Sequence, residues 1–134
     1  NNVRVNADTG VVATIDTDLP DSVDIVACAY TNNSATTGGT TTLYGLDAKN
    51  FRLVRIGGLN GNPSPNGGTV EPVAELTTDL DGELGFDITT TNQGYYVDRE
   101  DGDVRIFRID LTTGALTQTS RFDGAGVDAF TVAG

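Results

Sequence analysis

Three separated segments of this 134-residue chain follow one pattern. An aliphatic residue is followed by Asp or Asn, two variable residues, Thr or Asn, usually Gly, and then a return to Val or Leu. The copies are Val5-Asn6 through Thr9-Gly10 to Val11-Val12, Leu46-Asp47 through Asn50 to Leu53-Val54, and Ile109-Asp110 through Thr113-Gly114 to Leu116. A degraded fourth copy has Ile88 and Asn92 in the matching places. An Asp or Asn side chain accepts backbone N–H groups two residues on and so starts a turn. Gly supplies the positive φ that ends the turn in a bulge and returns the chain antiparallel. The flanks alternate as half-buried strands do, with Ile106, Arg108 and Asp110 set against Phe107 and Ile109. Each copy therefore predicts a β-hairpin. No amphipathic helical period of useful length occurs, so the chain is read as all-β.

The turn-starting positions Asn6, Asp47, Thr89 and Asp110 are separated by 41, 42 and 21 residues. A 21-residue hairpin doubled into a four-stranded unit matches the roughly 40–45 residues of a propeller blade. The spacing predicts blade-like antiparallel sheets related to a β-propeller, about three of them, with a β-sandwich of similar hairpins as the alternative. Further hairpins are expected over 26–46 with a loop stretched around Asn32 to Gly39, over 71–88 turning at Asp79 to Gly82, and over 95–109 with Asp101-Gly102 at the tip. The Gly-, Pro- and Asn-rich stretch 57–72 reads as a surface loop inserted between blades. The length corresponds to one domain, residues 1–134.

The formal charge is −11 and the chain has no His. Such a surface repels nucleic acid and anionic membranes, so neither is an expected partner. No apolar run approaches the roughly 20 residues of a membrane-spanning helix. The chain opens on Asn1 without a visible leader, which points to a processed product or an excised piece. Cys28, the single cysteine, lies in the apolar run "VDIVACAY" and is expected to be a buried, inert thiol. The wealth of Thr, Gly, Asn and Asp suits strands joined by tight turns, and it places the protein outside the cell or on its surface.

Acidic turns are the only candidate metal ligands. Asp79, Asp81 and Glu83 alternate around Gly82, with Asp87 beyond, and a hard cation such as calcium takes six to eight oxygens on a turning backbone. The full twelve-residue calcium loop is absent, so calcium is weighed against an ordinary polar turn. Asp16, Asp18, Asp21 and Asp24 form a second acidic stretch, and "VDREDGDV" a third that the hairpin tip already explains. No other cofactor is implied. Catalysis is not expected: Ser22, Ser34, Ser64 and Ser120 have no base in sequence reach and no G-x-S-x-G frame. Paired carboxylates acting on a glycosidic bond are the residual enzymatic reading. Tyr30, Tyr44, Tyr95 and Tyr96 lie in strands, and adjacent Tyr95 and Tyr96 must face opposite ways. Asn32-Asn33-Ser34 matches an N-glycosylation acceptor.

The segments "AYTNN…TTTLYGLD", "GELGFDI" and "FRIDLTTGALT" resemble a bacterial family of uncharacterised secreted proteins with repeated L-Y-x-[IL]-D-x-x-T-G hairpins. The similarity runs from Val3 to about Val132. The resemblance implies a propeller-like fold and no known activity. Together these features predict a non-catalytic extracellular structural module that joins copies of itself by strand pairing, as a fibre or surface-layer subunit. The alternative is an extracellular carbohydrate- or protein-binding domain, with calcium as a stabiliser.

Overall fold

A computed structural model of the chain describes residues 2–34, 39–77, 80, 83–123 and 130–132, with the backbone alone at 83 and 84. Ten strands run in chain order: β1 (Val3–Val5), β2 (Val12–Ile15), β3 (Ile25–Tyr30), β4 (Leu43–Asp47), β5 (Arg52–Ile56), β6 (Val70–Glu75), β7 (Glu83–Ile88), β8 (Gly94–Glu100), β9 (Asp103–Ile109) and β10 (Leu116–Asp123). They form a two-stranded ribbon β1-β2 and two four-stranded sheets, β3-β4-β5-β6 and β7-β8-β9-β10. Every pairing is antiparallel and every sheet is a meander. The chain is all-β, as the hairpin pattern predicts.

The turns explain why. Asn6 Oδ1 accepts from the N–H groups of Asp8 and Thr9, at 2.9 and 3.0 Å, while Gly10 donates to the Asn6 carbonyl and Asn6 donates to the Val11 carbonyl. Asp110 Oδ1 accepts from Thr112 and Thr113, at 2.8 and 2.9 Å, and Gly114 and Ala115 repeat the roles of Gly10 and Val11. Even the threonine hydroxyls match, with Thr9 Oγ1 accepting from Val11 and Thr113 Oγ1 from Ala115. Both glycines stand at φ 70°. The β4–β5 turn keeps the register, Asp47 pairing with Arg52, but fills the left-handed position with Phe51 at φ 53°. The β7–β8 turn is one residue shorter, closing from Thr89 to Gln93 with Asn92 at φ 61°. Asp101-Gly102 forms the two-residue β8–β9 turn with both residues at positive φ.

Four expectations need correction. The 41- and 42-residue intervals do not mark equivalent positions in successive sheets. Asp47 sits between the second and third strands of its sheet, and Thr89 between the first and second of the next. The described residues also form two four-stranded sheets and a ribbon, not three like units. The hairpin expected over 71–88 does not form, because β6 and β7 belong to different sheets. Between β6 and β7, Leu76 and Leu80 lie in the core. Finally, the loop read over 57–72 lies inside a sheet, joining β5 to β6, and its last three residues are strand. Its return is fixed by Gly57 donating to the Thr69 carbonyl and by Gly68, whose Cβ, if it had one, would overlap the Asp18 carbonyl.

The two large sheets share one core. Ala29, Tyr44, Leu46 and Leu53 from the first meet Phe86, Ile88, Tyr96 and Ile109 from the second, with Leu76 and Leu80 between. Tyr96 stacks on Phe107 with ring centroids 6.0 Å apart. Burying each large apolar side chain contributes roughly 1.5–3 kcal/mol. The β1-β2 ribbon contributes no residue to this core.

Candidate interaction surface

The ribbon is the feature that departs from ordinary packing. Its register places Val3 opposite Ile15 and Val5 opposite Val12, with a bulge between, so four aliphatic side chains share one face. They are 45%, 75%, 57% and 54% exposed, respectively. A two-stranded ribbon in water is marginal by itself. This one is tethered by polar bonds: Asn2 N–H to Asp18 Oδ1 at 3.1 Å, Asn2 Nδ2 to the Pro65 carbonyl at 3.3 Å, and Thr17 N–H to the Asn66 carbonyl at 3.1 Å. Arg4 grips Asp16 through two bonds of 2.8 and 3.0 Å. Between ribbon and first sheet runs a cleft of about 330 Å³ whose walls include Ile25, Cys28, Tyr30, Leu43 and Ile56.

Cys28 therefore differs from expectation: it is exposed on the wall of this cleft. Strand alternation turns Ala27 and Ala29 towards the core and Cys28 away from it. The side chain reaches solvent, yet its apolar neighbours still push the thiol above its ordinary value by desolvation. That disfavours the nucleophilic thiolate.

Of the four proposed calcium ligands, Asp79 and Asp81 lie outside the described residues, and Glu83 is described by its backbone alone. Asp87 is committed elsewhere. Its Oδ2 accepts from Thr131 Oγ1 at 2.8 Å and from Val132 N–H at 3.0 Å, and Oδ1 accepts from Ile88 N–H at 2.8 Å. Burial raises its pKa, but these hydrogen bonds outweigh that and hold the carboxyl below its ordinary value. Asp87 thus ties residues 130–132 to β7. The second acidic stretch is dispersed in the same way: Asp16 bonds Arg4, Asp18 accepts from Asn2, and Asp24 donates its N–H to Asp47. Among the described residues, no group of three or more His, Cys, Asp or Glu could hold a metal ion.

Tyr95 and Tyr96 divide as expected, Tyr96 fully buried and Tyr95 half-buried on the opposite face. Tyr44 is buried and Tyr30 is exposed. Asn32, the glycosylation candidate, exchanges hydrogen bonds with Asn92: its N–H donates to Asn92 Oδ1 and its Oδ1 accepts from Asn92 Nδ2, both at 2.8 Å. Its own Nδ2 donates to the Thr40 carbonyl at 2.9 Å, so the amide that would carry a glycan is already engaged.

Two carboxylates that the sequence marks only as turn-starting or hairpin-tip residues are buried. Asp47 accepts from Asp24 N–H, Asn50 Nδ2 and Arg52 Nη2 at 3.0, 2.7 and 3.2 Å. Burial raises its pKa, and these donors overcome the rise to leave it lowered. Asp98 meets Arg105 in a two-pronged pair of 2.8 and 2.6 Å, and Arg105 also reaches Glu100 and lies over the Phe107 ring. The signal available for the second pair was an Asp in β8 and an Arg in β9 at matching distances from the Asp101-Gly102 turn.

A family model described as "Domain of unknown function (DUF4394)" matches residues 1–133. The chain belongs to this family. No curated protein matches it. Membership brings no activity with it. No helix among the described residues is long and apolar enough to cross a membrane.

Proposed function

We propose that this chain is a non-catalytic structural module, working outside the cell or on its surface, that joins copies of itself into a fibre or layer. The observation that carries the reading is the exposed aliphatic face of β1-β2, formed by Val3, Val5, Val12 and Ile15. Contiguous exposed aliphatics on a strand pair to which no further described strand is hydrogen-bonded invite covering by another β surface. A second copy is the occupant favoured here. The ribbon repeats, bond for bond, the turn that joins β9 to β10, where the same hairpin forms half of a four-stranded sheet. Among the described residues, one copy of this hairpin lies in a four-stranded sheet and the other in a two-stranded ribbon.

The successive four-stranded meanders support a blade-like, propeller-related arrangement in which sheets stack along the chain. In an open stack the ribbon of one copy meets an end strand of the next, and contact that does not close into a ring grows a filament. The Thr-, Asn- and Gly-rich composition supports an extracellular setting.

Negative-stain electron microscopy of the purified chain, with and without a calcium chelator, tests this. Filaments or multi-copy particles are expected. Their loss on chelation would add a structural calcium ion, and single small particles under both conditions would overturn the reading in favour of a monomeric binding domain for carbohydrate or protein.

A further inference from the structure

Four strands bound the two large sheets, β3 and β6 in the first and β7 and β10 in the second. They differ in what they offer a second copy. β3 and β7 lie against each other, and Asp87 of β7 is also bonded to Thr131 and Val132. β6 carries Pro72, which has no N–H to donate, and its Glu71 and Glu75 add negative charge on a chain already at −11. β10 has neither obstacle. It is eight residues long, contains no Pro, carries one base and one acid, and has no described strand hydrogen-bonded along its outer edge.

The exposed apolar side chains are distributed in the same way. Within the described strands, the large hydrophobic residues left exposed are the four of the ribbon, Tyr30 of β3 and Phe122 of β10. The ribbon supplies the matching edge. The sequence match between the two hairpins sets Val3, Arg4 and Val5 of β1 level with Phe107, Arg108 and Ile109 of β9. β9 uses both of its edges, pairing Phe107 with Tyr96, Arg108 with Tyr95 and Ile109 with Gly94 of β8. β1 is paired with β2 alone among the described strands. We propose that β10 of a second copy pairs antiparallel with β1, in the place that β8 takes on β9, and that its Phe122 covers part of the face formed by Val3, Val5, Val12 and Ile15. This pairing rests on the self-assembly reading and names the second surface of that contact. Because β1 and β10 are different surfaces, the contact is head-to-tail, and every copy offers a ribbon and a receiving strand. The sheet β7-β8-β9-β10 then continues into the ribbon of its neighbour by strand addition.

The test is sedimentation velocity over roughly 1 to 100 μM of two variants, alone and mixed. Phe122→Lys spoils the receiving strand and leaves the ribbon intact, and the double variant Val12→Lys, Ile15→Lys does the reverse. All three positions are exposed, so the folded monomer should be kept. Each variant alone should remain a 14.0 kDa monomer at concentrations where wild type assembles. Mixed in equal amounts, the two should form particles of two chains and no larger, since one ribbon and one receiving strand remain between them. Phe122→Gln stands in should Phe122→Lys fold poorly, and it should weaken association about tenfold. Assembly of the Phe122 variants at wild-type strength would overturn the choice of β10 and leave self-assembly standing. A mixture that stays monomeric would overturn the head-to-tail pairing. A wild type that never assembles would overturn the self-assembly reading itself, and this pairing with it.

Discussion

At the residue scale, the turns form an internal experiment. Gly10 and Gly114 share φ 70° and the same hydrogen bonds, but they differ in surroundings. A Cβ on Gly10 meets nothing within 4 Å, whereas one on Gly114 would lie 2.8 Å from Ala74 Cβ and 3.2 Å from the Glu75 carbonyl oxygen. Gly10→Ala should cost about 1 kcal/mol or less, the strain of a left-handed alanine. Gly114→Ala should cost about 2–3 kcal/mol, because overpacking against β6 adds to that strain. Urea denaturation of both variants gives the comparison. At the third such turn, Phe51 occupies the left-handed position on the surface. Phe51→Gly should accordingly raise stability by about 0.5–1 kcal/mol in the same assay.

Asp47 sets the pH response. Its folded-state pKa is lowered, so its stabilisation is present above the unfolded-state value and is lost as pH falls through the folded value. Asp47→Asn should cost about 1–3 kcal/mol at pH 7, since it weakens charge-assisted bonds to Asn50 and Arg52 inside the fold. The gap between wild type and variant should narrow below about pH 4 as the wild-type carboxyl takes up its proton. Parallel melts at neutral and acid pH show the narrowing. A gap that widens on acidification would contradict the assignment.

At the scale of elements, the hairpins were legible because their determinants are local. An Asn6 or Asp110 side chain makes its bonds two and three residues along the chain, and Asp101-Gly102 fixes a two-residue turn without outside help. The crossing between sheets was not legible. Residues 71–88 contain the same turn-like Asp and Gly residues, but β7 pairs with β8 and β6 with β5, and that choice is made by Leu76 and Leu80 entering a core built from distant segments. The phase of the 41- and 42-residue intervals misled for the same reason, since turns of one chemistry serve at different places in a meander. Cys28 shows the limit of an apolar run, whose alternate residues reach opposite faces. Nothing local around Asp87 shows that it bonds to Thr131 and Val132, forty-four and forty-five residues on.

The ribbon also makes a prediction at this scale. It is held by a few polar tethers and contributes nothing to the core, so it should open with little free energy. Amides of β1 and β2 in the isolated, dilute chain should exchange with solvent far faster than those of β4, β5 and β8, whose Leu46, Leu53 and Tyr96 are fully buried. At high concentration, ribbon protection should rise, because a second copy would cover it. Protection of the ribbon equal to that of β8 in dilute solution would show that it is part of the stable unit.

At the scale of the whole molecule, the two four-stranded sheets share a core while the β1-β2 hairpin lies outside it. Folding accounts for the first part: Leu46, Leu53, Ile88 and Tyr96 are buried, and the buried acids Asp47 and Asp98 have arginine and amide partners. It does not account for four aliphatic side chains held in water on one face. In the assembly we propose, another β surface lies against that face and completes the hairpin. Sedimentation velocity over roughly 1 to 100 μM tests this claim most directly, comparing wild type with the double variant Val12→Lys, Ile15→Lys. The account predicts that wild type sediments faster as concentration rises, while the variant remains a folded 14.0 kDa monomer throughout. A wild-type chain that stays monomeric across the whole range would contradict it.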